Sequence, residues 1–403
     1  MTKYLLIICY IKKGVLNMKK IILSIISIFI IITILIVDNS KVINKEDNNK
    51  IKVNNNLLSM MLETEAESGK YEMTSSSSWP TDGYVFNSNL SKCENGSILS
   101  WDETNKKVVM EGNVSDKCYI YFDAIVPPNV SDFCSNGQTL SSCITSFGNQ
   151  GTKISNIYIH NSSLENGAED NSYRFAGTIE DVKNYICLGS SEATCPADNL
   201  YRIIGVFGEN NHDVAGQQLV KVIKNTSIGN IAWNTTTSTD WSSASLKTTL
   251  NSTFITENLS GVEDKIAEVS WKVSGFNDAV NAQTIYIEEI TNATNKYTSK
   301  IGLMYISDYG FATYQNYWTT NLYDYNLAAK NKDWLYLGTT EWTLSLNFYS
   351  DYIVWNVDSS GCAAYANSEG VTDTFAVRPS FYLTVDVVYV SGLRTSSDPI
   401  RVK

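Results

Sequence analysis

The sequence predicts a membrane helix, then a small all-β domain, then a larger α+β domain. An uninterrupted apolar run at residues 21–37 predicts the helix. Short apolar runs separated by turn residues between positions 57 and 124 predict the β domain. From residue 172 onward, strand-like runs alternate with one clear helical pattern, which predicts the α+β domain.

The apolar run would measure about 26 Å as a helix, close to the hydrocarbon thickness of a bilayer. Lysines at positions 12, 13, 19 and 20 precede it. They predict that the N-terminus is cytoplasmic and that most of the chain lies outside the cell. Residues 36–40 (IVDNS) lack an A-x-A site and a lipid-accepting cysteine. An uncleaved signal anchor in a single-pass membrane protein is therefore favoured over a cleaved signal peptide.

Composition divides the chain further. Met18-Lys19-Lys20 has the character of an export start, so residues 1–17 are interpreted as a mis-annotated start and residues 18–40 as the anchor. A pilin helix is disfavoured because its processing glycine and early acidic residue are missing. Residues 41–56 form a polar stalk, residues 57–124 the β domain, residues 125–171 a connector and residues 172–403 the α+β domain.

The chain is acidic, with a net charge of −11 and a pI near 4.8. Lysines cluster only at the N-terminus, so neither nucleic acid nor an anionic wall polymer is an expected partner. Of the eight cysteines, six fall into neighbouring pairs, and their gaps exceed the usual zinc-ligand spacing. In an exported chain they predict disulfides, although six cysteines allow fifteen connectivities. The favoured pairs are Cys93–Cys118, Cys134–Cys143 and Cys187–Cys195.

Local patterns predict the individual elements. In the β domain, residues 97–101 and 107–111 form a hairpin and residues 119–122 a closing strand; a spacer role is favoured over a binding role. Further along, strands are expected at residues 154–160, 173–177, 185–187, 200–207, 218–224, 284–287, 300–307, 375–383 and 386–390. Residues 241–254 are predicted to form a helix capped by Asp240. Residues 263–271 are predicted to form a short helix that continues into a strand.

Several motifs carry a resemblance to a known family. They are Tyr-Arg-Ile-Ile-Gly-Val-Phe at 201–207, Ile-Gly-Leu-Met-Tyr-Ile-Ser-Asp-Tyr-Gly at 301–310 and Val-Arg-Pro-Ser-Phe-Tyr-Leu at 377–383. With them, most of residues 57–403 resembles uncharacterised membrane-anchored surface proteins of low-GC Gram-positive gut bacteria. More loosely, residues 375–379 resemble the last strand of bacterial C-type-lectin-like domains, which implies that fold for residues 172–403. The calcium-binding Glu-Pro-Asn or Gln-Pro-Asp of the sugar-binding branch is missing, so no metal or other cofactor is expected.

No catalytic motif is recognisable. His160 and His212 are interpreted as surface residues, and Glu288 and Glu289 as strand neighbours that point to opposite faces. Cys362 lacks a nearby histidine and is expected to be a buried thiol. The chain is therefore predicted not to be an enzyme, with a carboxylate-based extracellular hydrolase as the less favoured alternative.

Aromatic residues concentrate in residues 309–365, which hold nine of the 24 tyrosines and four of the nine tryptophans. Trp334, Tyr336 and Trp342 are expected in the core, and Arg378 as a structural residue beneath the loops. The predicted ligand-binding residues are Tyr349, Tyr352, Trp355, Asn356 and Tyr365. The expected function is adhesion, or binding of an extracellular glycan or protein, with a purely structural envelope protein as the other alternative.

Overall fold

The computed structural model describes residues 58–76, 78–80, 83–102, 107–113, 115–125, 130–278, 280–325, 330–365 and 370–403. The predicted start, anchor and stalk (residues 1–56) lie outside these ranges. Within them, no helix is both long and apolar enough to cross a bilayer. The chain divides into two compact units, Met1–Pro127 and Pro128–Lys403.

The predicted C-type-lectin-like α+β class is wrong for the second unit, whereas the predicted membrane helix lies outside the described residues. The described residues are mostly β, with few and short helices. The predicted strand at residues 284–287 is helical, and so are the last two residues of the predicted strand at 300–307. Residues 130–171 are not a separate connector, because their apolar side chains join the core of the second unit.

The first unit is built from β strands around a small core. The strands are β1 Leu58–Glu63, β2 Tyr71–Met73, β3 Tyr84–Phe86, β4 Lys92–Cys93, β5 Ile98–Asp102, β6 Lys107–Glu111 and β7 Cys118–Ala124. The main sheet has the order β2-β1-β7-β3, and β4 also pairs with β7. Strands β5 and β6 form the predicted hairpin. Ile120 and Phe122 alternate with outward residues on β7 and supply the buried face.

The second unit contains two larger sheets and one strand pair. Its strands are β8 Ile157–Ile159, β9 Tyr173–Phe175, β10 Tyr185–Cys187, β11 Leu200–Phe207, β12 Leu219–Lys224, β13 Asn230–Ala232, β14 Val269–Lys272, β15 Gly275–Phe276, β16 Lys296–Ser299, β17 Ile301–Gly302, β18 Glu341–Asn347, β19 Val354–Val357, β20 Ala363–Tyr365, β21 Thr374–Ala376, β22 Ser380–Leu383, β23 Tyr389–Ser391 and β24 Ile400–Val402. The first sheet follows β17-β22-β12-β11-β10-β24-β23, with β9 also paired to β11 and β8 paired to β9. The second follows β13-β21-β18-β19-β20, with β15 on β18, and β14 pairs with β16.

Strands β11 and β12 form the centre of the first sheet and are buried on both faces, which explains their nearly continuous apolar sequence. Gly205 interrupts β11 where β9 crosses closely. A Cβ atom at this position would lie 2.2 Å from the carbonyl oxygen of Tyr173, so only glycine permits this pairing.

The helices are short and lie between the strands. The α-helical segments are Leu140–Gly148, Thr152–Ser155, Glu209–His212, Ser245–Thr249, Ile255–Asn258, Ala282–Tyr286 and Ile306–Phe311. π-Helical turns span Leu250–Phe254 and Ile287–Thr291, and 3₁₀ turns span Val130–Asp132, Ala197–Asn199, Trp241–Ser243, Glu263–Lys265, Gln315–Tyr317, Leu322–Asp324 and Gly370–Thr372. The helix predicted at residues 241–254 is found as a 3₁₀ turn, Trp241–Ser243, and a helical segment from Ser245 onward, separated by the extended Ala244. Asp240 accepts the N–H of Ser242 and caps the 3₁₀ turn.

Three disulfides join the cysteine pairs favoured from the sequence. Cys93–Cys118 links the facing residues of β4 and β7. Cys134–Cys143 ties the segment before the helix Leu140–Gly148 to that helix, and Cys187–Cys195 closes the turn after β10. Cys362 stays a thiol and is half-buried rather than fully buried, with its Sγ 3.3 Å from the carbonyl oxygen of Tyr325.

Candidate functional site

The turn between β18 and β19, residues 347–353, is the candidate site and is called the aromatic turn below. Leu346 faces Val354 in the strand pair, and Asn347 donates its N–H to the carbonyl of Ile353 at 3.2 Å. The Asn347 side-chain oxygen accepts the N–H of Tyr349 at 2.9 Å. Asparagine forms such turns because its side chain replaces a backbone carbonyl two residues on.

Three large side chains of the aromatic turn face solvent. The exposed fractions are 57% for Phe348, 69% for Tyr349 and 41% for Tyr352. Exposed aromatic side chains gathered on one short turn make this turn the candidate contact site. Two of the three, Tyr349 and Tyr352, were predicted ligand-binding residues; Phe348 was missed, although its position beside Tyr349 in the sequence was the available signal.

Two neighbouring loops hold the aromatic turn. Thr239 donates its N–H to the carbonyl of Asp351, and Val371 donates its N–H to the carbonyl of Tyr352, each at 2.9 Å. Gly370 has a φ of +64°, and a Cβ there would lie 2.1 Å from the carbonyl oxygen of Tyr352. The backbone of the turn is therefore bonded on two sides while its aromatic rings stay in water, so little ordering entropy remains to be lost on binding.

Two other predicted ligand-binding residues lie beneath the turn. Trp355 is 1% exposed and stacks on Phe276 with ring centroids 4.7 Å apart, and its Nε1–H donates to the carbonyl of Phe276 at 3.0 Å. Asn356 is also buried on β19. The prediction that Trp355 and Asn356 face a ligand is therefore wrong, because both belong to the core that supports the turn. Tyr365 pairs with Trp355 across β19 and β20, and its side chain lies outside the described part.

The segments bonded to the turn are acidic and rich in hydroxyl groups. The turn and residues 235–240, 276–278 and 370–373 together contain Asp240, Asp278, Asp351 and Asp373 and neither lysine nor arginine. The carboxylate of Asp240 accepts hydrogen bonds from Ser242 and Ser243. Phosphate-rich or carboxylate-rich ligands would be repelled here, whereas a ligand that offers hydroxyl donors or a cation would be accommodated.

A second group of polar residues is buried in the same unit. Glu341 accepts two hydrogen bonds from Arg378, both at 2.7 Å, and Arg378 also donates to the carbonyl of Leu335. Trp334 and Trp342 are buried as predicted, and Tyr336 packs against the core partly exposed. These contacts confirm Arg378 as a structural residue beneath the loops.

The prediction that both histidines are surface residues is wrong. His160 and His212 are buried rather than on the surface. His160 lies between Phe311 and Trp318, and its Nδ1 accepts the N–H of Ala168 at 3.0 Å. Burial lowers the pKa of both imidazoles, so both are neutral at pH 7. Among the described residues, no group of His, Cys, Asp and Glu could hold a metal ion.

The prediction for Glu288 and Glu289 is wrong as well. They lie in the π turn Ile287–Thr291 that continues the helix Ala282–Tyr286, and Glu289 is 0% exposed. Burial raises the pKa of Glu289 to about 7. Its oxygens accept the N–H groups of Ile306 and Ser307 and the hydroxyl of Ser345. The sequence signal was Asn281, an N-cap residue, followed by apolar residues at helical spacing.

The chain matches no family model, no curated protein and no solved structure.

Proposed function

We propose that this chain is an exported surface protein that recognises an extracellular glycan through the aromatic turn. The observation that carries the proposal is the exposure of Phe348, Tyr349 and Tyr352 on a turn whose backbone is fixed by Thr239 and Val371. Rigid aromatic side chains offer a large contact area at small entropic cost. Buried Trp355 and Asn356 support this site from below.

A glycan suits the chemistry of the turn better than an anionic polymer does. Aromatic rings pack on the C–H faces of sugar rings, and the carboxylates of Asp240, Asp278 and Asp351 accept hydrogen bonds from hydroxyl groups. The aspartates of the turn and of the segments bonded to it, like the net charge of −11, oppose phosphate-rich partners. A protein ligand is the other expected outcome of a binding screen.

The proposed location is the outside of the cell membrane. The apolar residues 21–37 would anchor the chain, with the lysines before them on the cytoplasmic side and the two folded units outside. Three disulfides suit an oxidising compartment. This arrangement would present the aromatic turn to ligands outside the cell.

The alternatives have less support from the second unit. A structural envelope protein was expected to bury its aromatic residues, but Tyr349 and Phe348 are exposed. A hydrolase needs carboxylates in a cleft, and Glu289 and Asp308 are buried.

Binding to arrays tests the proposal. A secreted form that begins at residue 57 is applied to immobilised glycans and, separately, to extracellular proteins. Saturable binding to a defined set of glycans supports the proposal, and binding to proteins alone redirects it to a protein ligand. If neither array shows saturable binding, the recognition function is rejected.

A further inference from the structure

A buried amine and a buried carboxylate meet in the second unit. Lys221 extends from β12 and Asp308 lies in the helix Ile306–Phe311, and Lys221 Nζ is 2.6 Å from Asp308 Oδ2. Both side chains are almost fully inaccessible to solvent, and 87 positions separate them in the sequence. A dry, close amine–carboxyl pair is preorganised for a reaction that water would otherwise suppress.

Aromatic rings enclose the lysine. Its Nζ lies 4.4 Å from the ring centroid of Tyr305, 5.4 Å from that of Trp271 and 5.6 Å from that of Tyr382. Burial lowers the pKa of Lys221, while Asp308 opposes this shift. The neutral amine, which is the nucleophilic form, is therefore more accessible than in water.

A third titratable group is hydrogen-bonded to the start of the helix that carries Asp308. Glu289 is buried; its charge opposes the lowering of the Lys221 pKa, and the charge of Asp308 contributes to the raised pKa of Glu289. Its hydrogen bonds from Ile306 and Ser307 fix the carboxyl at the start of the helix that carries Asp308. Because burial raises its pKa to about 7, both its protonated and ionised forms are populated near neutral pH.

We propose that Lys221 and Asp308 condense to an intramolecular amide, with Glu289 as the proton-transfer group. The buried ion pair first becomes a neutral amine and a carboxylic acid by transfer of one proton from Nζ to the carboxylate. Lys221 Nζ then attacks Asp308 Cγ and forms the N–C bond. Glu289 takes a proton from the nitrogen and gives one to the departing oxygen, the C–O bond breaks, and one water leaves. The net change is ammonium plus carboxylate to amide plus water, so no oxidant or other reactant is needed.

Neighbouring charges favour the step and its product. Arg174 Nη1 lies 3.7 Å from Asp308 Oδ1, the oxygen retained in the amide, and would stabilise negative charge that develops there. After condensation Arg174 keeps Asp170 as a partner at 2.8 Å, so no unpaired charge remains at that position. The amide also replaces a buried ion pair, whose desolvation is costly.

Mass spectrometry of the full chain tests the proposal. After reduction of the disulfides, the intact mass should be one water lower than the sequence mass. Trypsin should not cleave after Lys221, because an acylated lysine is not a substrate. A branched peptide should join the segment that contains Lys221 to the one that contains Asp308.

Three variants complete the test. Lys221→Met and Glu289→Gln should each restore the full mass, whereas Glu288→Gln, at the adjacent half-buried acid, should keep the cross-link. A wild-type chain with its full mass and normal cleavage after Lys221 would overturn the proposal, whether or not the variants fold. A cross-link that persists in Glu289→Gln would overturn the role of Glu289.

Discussion

Thr239 donates its N–H to the carbonyl oxygen of Asp351 at 2.9 Å, which ties the aromatic turn to the loop that leads into Trp241. Trp241 is buried and contacts Trp233, with ring centroids 4.9 Å apart. The exposed end of the β18–β19 hairpin is therefore connected through a backbone bond to the aromatic core. The turn should keep its shape without a ligand, as a preorganised site requires.

The conformation of the turn should depend on Gly370. The substitution Gly370→Ala places a Cβ against the carbonyl of Tyr352 and adds about 1–3 kcal/mol of backbone strain. We expect lower stability in denaturant and faster chymotrypsin cleavage at Tyr349 and Tyr352. Gly338→Ala is the matched control, because its φ of +84° brings the same type of strain with open space around it. Equal cleavage rates in the two variants would show that Gly370 does not hold the turn.

The ion pair between Arg378 and Glu341 should be strongly coupled. Arg378→Met leaves a buried carboxylate without its cation and should lower the unfolding free energy by about 3–5 kcal/mol. The double variant Arg378→Met/Glu341→Met should recover much of this loss, because no buried charge is left. A double-mutant cycle in denaturant measures the coupling; additive losses would mean that the two groups act independently.

Stability should fall as the pH rises toward neutrality because of Glu289. Its folded-state pKa of about 7 exceeds the ordinary value of 4.5, so the folded chain holds the proton more tightly than the unfolded chain. The stabilisation is complete below about pH 4.5 and is lost as the pH passes 7, on the order of 3 kcal/mol.

The variant Glu289→Gln should remove this part of the pH dependence, measured by denaturant unfolding at about pH 4.5 and about pH 7.5. Glu288→Gln serves as the control. All proteins in this comparison carry Lys221→Met, because the proposed amide cannot form in that background and the slopes then differ only at residues 288 and 289. An unchanged slope in Glu289→Gln would place the titrating group elsewhere.

The disulfides should be formed in the exported chain. Peptide mapping without reduction should recover Cys93–Cys118, Cys134–Cys143 and Cys187–Cys195 as linked pairs. Replacing Cys93 and Cys118 by serine should lower the stability of the first unit by about 3 kcal/mol. Thiol labelling of Cys93 or Cys187 in freshly isolated protein would contradict both the pairing and the surface location.

Much of the local structure was predictable from the sequence. Strands at residues 185–187 and 200–207, the cap at Asp240 and the disulfide pairs follow from short-range patterns. Arg378 was also placed correctly, because a lone arginine within an apolar strand run needs a buried partner.

The errors arose where long-range packing decides the outcome. His160 has polar neighbours in sequence, but Phe311 and Trp318, more than 150 positions away, bury it. Residues 284–287 have β-favouring side chains, but Asn281 caps a helix there. Trp355 resembled a loop residue because the pairing of β19 with β18 cannot be read from its neighbours. The fold class also depends on long-range strand pairing, and its prediction was wrong for this reason.

The most direct test of the recognition site is a comparison of ligand affinity between two triple variants. Phe348→Ala/Tyr349→Ala/Tyr352→Ala removes the exposed rings of the aromatic turn. Ile179→Ala/Val385→Ala/Leu393→Ala removes three similarly exposed apolar side chains elsewhere in the same unit. On a glycan that the wild-type chain binds, the first variant should lose at least about tenfold in affinity, or 1.4 kcal/mol, and the second should bind like wild type. Equal binding by all three proteins would contradict the assignment of the aromatic turn as the recognition site.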